Sequence, residues 1–314
     1  MTVAAIRHML VYRDYKGFTG GHGKFRDYVA HVDAHPNWQA DVYLSPSSMI
    51  DESNPFLDVP NRLDRWLPEQ ADAILVGGGD WAVIPSNLPE QLPIVNLVQH
   101  VRHGEPGHAL RAFLGRRAIR VGNSSLVAEA VLGTGEANGP VVMIPSGLDI
   151  QMLAEVGAVE PTADVFIDAA KQPKLGREVA DLLVERGLKI ELLIARVPFP
   201  AYLRAMASAP IAVTLPDATE GLYLPGLNAM AMGRLLVQPD CVGSREYVRD
   251  GENALQASRE PQALADAALH AHEDVALRAR LVSAGRSTAA RFDLATERQA
   301  VHALLDALDD LWTA

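Results

Sequence analysis

The sequence predicts an α/β protein made of two doubly wound, Rossmann-like halves. Three observations carry this. Short apolar runs of strand length, rich in Val, Ile and Leu, recur along the chain. Helical patterns such as REVADLLVERG, from Arg177, fall between them. Strand and helix in alternation imply βαβ units and parallel sheets. Finally, the runs form two series, separated from Ser146 by SGLDIQMLAEVGAVEPTA, which reads as a crossover linker. The expected division is residues 1–150, residues 151–290 and a terminal helix over 291–314.

In the first series, strands are expected in the runs that open at Ala5, Ala40, Ala73, Pro93, Ala118 and Val141. The second series opens at Asp164, Lys189, Pro210 and Arg234. From Glu273 the chain is Ala/Leu/Arg-rich and reads as almost continuous helix. Ligands of open α/β sheets bind outside the carboxyl ends of the strands. Two such domains facing each other would form a cleft there.

Composition narrows the function. The 314 residues suffice for two ordinary domains, and 48% are apolar, as in a folded globular protein. A net charge of −11 argues against broad nucleic-acid binding. The single cysteine, Cys241, permits no intrachain disulfide and fits a reducing compartment. It follows an apolar run, where packing is the ordinary role. No run approaches the roughly 18 apolar residues of a membrane span. The first residues carry no signal-peptide pattern, so a cytoplasmic location is expected.

The most informative stretch begins at Glu220, EGLYLPGLNAMAMGRLLVQPDCVGSREYVRDGENAL. It joins a carboxylate, a turn at Leu224 and Pro225, a small-residue helix, an apolar strand and a turn at Asp250 and Gly251. A helix that starts at a Leu-Pro turn points free backbone N–H groups forward, which suits phosphate. Glu220 just upstream suits hydroxyls. The same stretch also fits an ordinary strand–turn–helix–strand unit with a solvated Glu220.

The stretch resembles the donor-site signature of GT-B glycosyltransferases of the retaining GT4 type, the group 1 glycosyltransferases. Glu220, Gly221, Leu224, Pro225, Ala229, Met230, Ala231 and Gly233 match its first half. Gly243, Glu246, Val248, Asp250, Gly251 and Asn253 match its second. Two positions depart: Tyr223 replaces a Gly, and Asn228 replaces the Glu that usually holds the nucleotide ribose. Asn can still hydrogen-bond a hydroxyl but carries no charge. The resemblance implies a GT-B fold, with two Rossmann-like domains across a cleft and a last helix returning to the first domain.

It also guides the reading of weaker signals. FTGGHGKFRDYVAHV, from Phe18, places Gly20 and Gly21 before a helix, with Lys24 and Arg26 close behind. It resembles the family's N-terminal glycine loop. That implies Gly20 and Gly21 beside the donor phosphate, with Lys24 and Arg26 on the acceptor side. His100 follows an apolar strand, where the family often sets a donor-sugar contact; a surface or capping role fits equally well. His103 and His108 lack the spacing of a ligand set. Arg102, Arg111, Arg116, Arg117 and Arg120 form a basic cluster. It is either solvated or a contact for a polyanionic acceptor or an anionic membrane surface.

VFIDAAKQPKLGREV, from Val165, occupies the place of the family's diphosphate-binding G-R-L-x-x-x-K-G. The alignment gives Lys174 the family's Lys and leaves Ala169 where its Arg would be. Lys171 or Arg177 can replace that cation. IPSGLD, from Ile144, resembles the family's domain-linker element.

The resemblance thus implies transfer of a sugar from a nucleoside diphosphate to an acceptor hydroxyl, with retention. Lys174, Glu220 and His100 are the expected catalytic residues. Gly20, Gly21, Lys171, Arg177, Tyr223, Leu224, Pro225 and Asn228 are expected to bind the donor. No Asp-x-Asp motif is present, so no metal or other cofactor is expected. The GGHGK and QHVRH elements resemble a bacterial subgroup associated with surface polysaccharide assembly. Two alternatives stay open: a nucleotide-sugar epimerase on the same scaffold, and a non-catalytic relative that binds sugar or nucleotide.

Overall fold

The computed structural model describes residues 5–313. Two compact units divide the chain: Met1–Ser146 with Thr296–Ala314, and Gly147–Ala295. The first boundary falls slightly before the expected 150, and the tail belongs to the first unit from Thr296, not from 291.

The first unit opens with β1 (Arg7–Arg13), α1 (Gly20–Asp33), β2 (Trp38–Leu44) and the two-residue β3 (Arg62–Leu63). It continues with β4 (Ala73–Gly77), β5 (Ile94–Val98), β6 (Ile119–Gly122), α2 (Ser125–Leu132) and β7 (Val141–Met143). The sheet order is β3-β2-β1-β4-β5-β6-β7, with every pairing parallel. The run AILVG of β4 is buried throughout, as expected of a parallel strand covered on both faces. In β1, Met9 and Val11 pair with Ala40 and Val42 of β2 and join the core, while Tyr12 pairs with Tyr43. β3 escaped the sequence reading because two edge residues make no apolar run.

The second unit holds α3 (Ile150–Gly157), β8 (Val165–Asp168), α4 (Pro173–Glu185), β9 (Ile190–Leu193) and α5 (Phe199–Ala207). Then come β10 (Ile211–Thr214), α6 (Leu224–Ala231), β11 (Leu235–Pro239), β12 (Leu255–Ala257), α7 (Pro261–Glu273) and α8 (Val275–Ala289). Its parallel sheet runs β12-β11-β10-β8-β9. The chain enters and leaves this unit side by side. Leu148 N donates to Phe292 O at 2.8 Å, and Leu294 N donates to Leu148 O at 2.9 Å. Gly147 is needed there, since a Cβ would lie 2.6 Å from Leu294 Cα.

The tail is not one helix. Asp274 caps α8 by accepting from Leu277 N at 2.8 Å, and α8 ends before α9 (Leu294–Asp306) and α10 (Leu308–Thr313) begin. The tail joins the first unit's core through Val301, Leu304, Leu305, Leu308 and Trp312, and polar contacts add to this. Glu297 is buried and accepts from Lys24 Nζ at 2.5 Å, and His31 Nε2 lies 3.3 Å from it. Trp312 Nε1 donates to Glu90 O at 2.9 Å. No helix among the described residues is long and apolar enough to cross a membrane.

Glu297→Ala removes one of the two carboxylates paired with the buried Lys24 ammonium and is expected to cost about 2–3 kcal/mol, less than stranding a buried charge outright because Asp27 remains. Urea unfolding of the variant checks this, and the pair Lys24→Met with Glu297→Leu is expected to recover most of the loss. A single-variant loss below about 1 kcal/mol would show that water reaches the pair.

Candidate active site

In the second unit the strand order reverses between β8 and β10, the switch point where open α/β sheets bind ligands. The carboxyl ends of these two strands present the notable side chains. Asp168 closes β8, Lys171 follows it, and Glu220 lies in the loop beyond β10. Glu220 is only 8% exposed. Its Oε1 accepts from Lys171 Nζ and from the Asp217 backbone N–H at 3.2 Å. The Lys171 ammonium also stands 5.9 Å from the ring centroid of Tyr223. Lys171, Glu220 and Tyr223 are therefore brought together.

Lys174 is placed otherwise. It sits in the first turn of α4 with its side chain 92% exposed, 3.8 Å from Glu178 Oε1. Arg177 is exposed one turn further along. Lys174, expected as a catalytic cation, is thus solvent-facing in this structure, and the ammonium held at Glu220 belongs to Lys171. Ala169 explains why no arginine stands before it. It is fully buried against α4, and a Cβ on Gly176 would run into the Ala169 methyl.

α6 begins at Leu224 and Pro225, with Pro in the first turn where its missing N–H is harmless. What fixes this helix is the turn after β11. Tyr247 O–H donates to Tyr223 O at 2.6 Å, and Tyr223 N donates to Gly243 O at 3.3 Å. Gly226 allows the close approach, since a Cβ would strike the Tyr247 hydroxyl and lie 3.0 Å from Gln238 Oε1. Asn253 braces Tyr247 in turn, donating from Nδ2 to Tyr247 O at 2.8 Å and accepting from Arg249 N at 2.8 Å. Much of the motif's second half is thus a brace for α6. Asn228, inside α6, is 4% exposed, and its buried Oδ1 has no hydrogen-bond partner among the described residues. Such an orphan acceptor is costly unless a ligand supplies the donor.

Asp168 was not singled out by the sequence. Burial pushes its carboxyl up, against backbone N–H donation from Ala170 at 3.3 Å and Tyr202 O–H donation at 3.2 Å. Its position at the end of a switch-point strand was the available signal.

The first unit corrects several expectations. Gly20 and Gly21 open α1 in helical conformation with no positive φ, so their value is space, not backbone freedom. A Cβ on Gly21 would lie 3.0 Å from Gln99 Oε1. Lys24 does not face an acceptor: it is buried and ion-paired with Glu297 at 2.5 Å and Asp27 at 2.8 Å. Arg26 Nε donates to Pro55 O at 3.0 Å, tying down the loop that follows β2. His100 caps a short 3₁₀ turn, its Nδ1 accepting from Arg102 N at 3.1 Å. His108 caps the next such turn, and burial drives His103 down to about 4.

The basic cluster is largely consumed by the fold. Arg120 is wholly buried, and its guanidinium donates to five backbone carbonyls, those of Phe113, Leu114, Arg116, Ala118 and Asn138. Desolvation lowers it to about 10. Arg116 donates to the carbonyls of Trp81, Ile84 and Pro85, and Arg111 pairs with Glu136 at 2.7 Å. Arg117 stacks over Trp312 at 4.5 Å. Arg102 is exposed, while the other four guanidiniums are engaged as above, so the cluster offers no concentrated basic face.

The first unit's own switch point lies between β1 and β4. Arg13, at the end of β1, donates to Asp80 Oδ2 at 2.5 Å, and Arg13 Nη2 lies 2.8 Å from His22 Nδ1. Because arginine only donates, His22 Nδ1 accepts there and the ring is neutral. Burial, with the Arg13 charge, lowers His22 to about 4; burial raises Asp80 to about 6 in spite of Arg13. Among the described residues no three His, Cys, Asp or Glu side chains converge as a metal site.

Comparison with known proteins agrees with this architecture. Residues 162–274 match the family of glycosyl transferases group 1. Anabaena Alr3699/HepE, solved in complex with UDP and glucose, is 17% identical with a TM-score of 0.70 over 96% of this chain and 100% of its own. Sucrose-phosphate synthase from Thermosynechococcus elongatus is 13% identical with a TM-score of 0.68 over 96% and 99%. S. aureus MnaA, solved with UDP, is 12% identical with a TM-score of 0.66 over 98% and 98%. No functionally curated protein matches the sequence. The chain has the GT-B fold. Within its second unit, the segment that carries Lys171, Glu220 and Asn228 is the part that matches the group 1 glycosyltransferase family.

His22 is expected to titrate at about 4 rather than its ordinary 6.5. A folded value below the unfolded one means its contribution to stability is complete above about 6.5 and is lost as pH falls toward 4. Imidazole ¹⁵N shifts followed against pH check this. A midpoint near 6.5 would place the ring in solvent.

Proposed function

We propose that the protein is a retaining, metal-independent glycosyltransferase that moves a sugar from a nucleoside-diphosphate sugar to an acceptor hydroxyl. The observation that carries the reading is the buried Glu220 carboxylate, held by Lys171 at the switch point of the family-matched unit. A carboxylate there accepts hydrogen bonds from sugar hydroxyls. The N-terminus of α6 directs backbone N–H groups at phosphate, and the orphan Asn228 Oδ1 awaits a ribose hydroxyl. Alr3699/HepE and MnaA, solved with UDP on this fold, make a nucleoside diphosphate the natural ligand to test.

In this reading the acceptor hydroxyl attacks on the face the diphosphate leaves. The leaving group takes the proton, and no protein nucleophile is needed. Positive charge aimed at the leaving diphosphate then lowers the barrier. We assign that task to Lys171, with Lys174 and Arg177 as solvent-facing support. His100 remains a donor-sugar candidate from the resemblance alone. A non-catalytic relative is the second reading, favoured by Ala169, whose burial leaves no place for an arginine.

A binding screen with UDP, GDP, ADP and dTDP and their glucose conjugates, followed by donor hydrolysis and transfer, tests the reading. Binding without hydrolysis or transfer to any acceptor would favour the second reading. Lys171→Ala is expected to reduce turnover by about 10²-fold or more, the scale of losing one positioned electrostatic group. Lys174→Ala should lose far less, and the reverse order would return the role to Lys174. Asn228→Leu is expected to weaken nucleoside-diphosphate binding by about three- to tenfold, the value of one neutral hydrogen bond. Calorimetry with an unchanged dissociation constant would move the ribose elsewhere. EDTA is expected to leave turnover intact, and loss restored by Mg²⁺ or Mn²⁺ would overturn the metal-free mechanism.

A further inference from the structure

We propose that Asp168 binds the donor as a neutral carboxylic acid: it takes up a proton from solvent when a nucleoside-diphosphate sugar enters the second unit, and donates a hydrogen bond to a phosphate oxygen. The proposal rests on the glycosyltransferase reading and deepens it, naming a further binding group and the charge state of the occupied site.

Positive charge is scarce at the switch point. Asp168 is the last residue of β8 and Glu220 lies in the loop beyond β10, each 8% exposed. Lys171 serves both: its Nζ donates to Glu220 Oε1, and its charge acts on Asp168. Tyr202 on α5 and Tyr223 at the start of α6 also feel Asp168. Burial and the Asp168 charge push both phenols well up, so both stay neutral. Lys174 and Arg177 on α4 are exposed. A diphosphate esterified at both ends keeps its negative charges at neutral pH, whereas a terminal phosphate titrates at about 6. Beside two carboxylates and a single ammonium, those charges meet net repulsion unless one carboxylate is neutralised.

Asp168 is the carboxyl group placed to give way. Glu220 accepts from an ammonium and from the Asp217 N–H at 3.2 Å. Asp168 has neutral donors only, Ala170 N at 3.3 Å and Tyr202 O–H at 3.2 Å. Hydrogen bonds from charged donors are the stronger kind. Burial already pushes the Asp168 carboxyl up, and the Lys171 charge opposes that shift. A diphosphate that draws the ammonium to itself removes this opposition and adds negative charge, and both effects favour the acid form. The two oxygens divide the work. Oδ2 keeps the Tyr202 contact, and Oδ1, at the longer contact with Ala170, carries the proton beside the turn that holds Lys171.

Calorimetry of the full-length protein with UDP-, GDP-, ADP- and dTDP-glucose, in buffers of different ionisation enthalpy, counts the protons bound. For a conjugate that binds, an uptake of about one proton is expected at neutral pH, with affinity falling by up to about tenfold per unit rise in pH. Asp168→Asn keeps an acceptor for Tyr202 and supplies an N–H donor in place of the acid O–H. It should bind without uptake and without that pH dependence, and tighter than wild type in alkaline buffer. Asp168→Ala should also bind without uptake, but about three- to tenfold more weakly than the Asn variant. Thermal melting confirms that each variant is folded, and either one alone suffices for the comparison, since uptake by a histidine would survive both. A wild-type enthalpy independent of buffer, or uptake that persists in a folded variant, overturns the proposal and leaves the donor reading standing. If none of the four conjugates binds wild type or variant, the donor reading fails and the proposal falls with it.

Discussion

The contact between α6 and the turn after β11 governs the candidate donor site. Tyr247 donates its hydroxyl to the carbonyl of Tyr223, the residue from which α6 departs. Gly226 lets the helix come that close, and Gln238 and Ser244 fill the space beneath, joined at 2.6 Å. Every one of these groups is buried, so the alternatives to these bonds are unsatisfied polar atoms, not bonds to water. A helix held this way presents its first-turn N–H groups in a fixed direction. Preorganisation of that kind is what makes backbone dipoles effective on a charged ligand. Glu220 inherits the same rigidity through Gly221, whose carbonyl packs so tightly on Gly243 that only glycine fits there.

The distribution of cations tells a complementary story. An acidic chain with a local arginine cluster invites an electrostatic reading of that cluster. Most of those guanidiniums instead donate to backbone carbonyls in and around the loops that flank β6. Arg120 is the extreme case: a buried charge tolerated because five carbonyls surround it. Lys24 is spent likewise, on joining α1 to α9 through Glu297. What remains near the switch point of the second unit is Lys171, engaged with Glu220.

Much of the fold was legible because parallel strands buried on both faces write continuous apolar runs, as β4, β5, β8, β10 and β11 do. β3 and β12 were not, because RL and LQA, unlike the equally short VVM of β7, are broken by polar residues and make no apolar run. The stretch from Glu220 was legible as a site because its glycines and prolines have backbone duties that few other residues can perform. Side-chain partnership was not legible. Nothing in FTGGHGKFRDY says that Lys24 points inward, for its partner Glu297 is 273 residues away. Nor does the sequence show that Asp80, isolated after three glycines, meets Arg13 across the sheet. Both facts depend on which strands become neighbours.

Ala169 and Lys171 show how a site can shift its charge by two residues. The residue just past β8 is turned toward α4, where Gly176 leaves room for a methyl group and nothing larger. A long cation there would have to displace the helix. Lys171 lies beyond the strand, where the chain has turned away from the core and a flexible stem can reach Glu220. A diphosphate needs charge at a place more than it needs a given residue, and an ammonium serves as a point charge without the fixed geometry of a guanidinium. In the free protein that charge neutralises Glu220. A bound donor would bring both hydroxyls for the carboxylate and phosphates for the ammonium, so one event can replace the internal pair with two better-matched contacts. The internal pair then works as a placeholder that keeps Glu220 oriented until a donor binds.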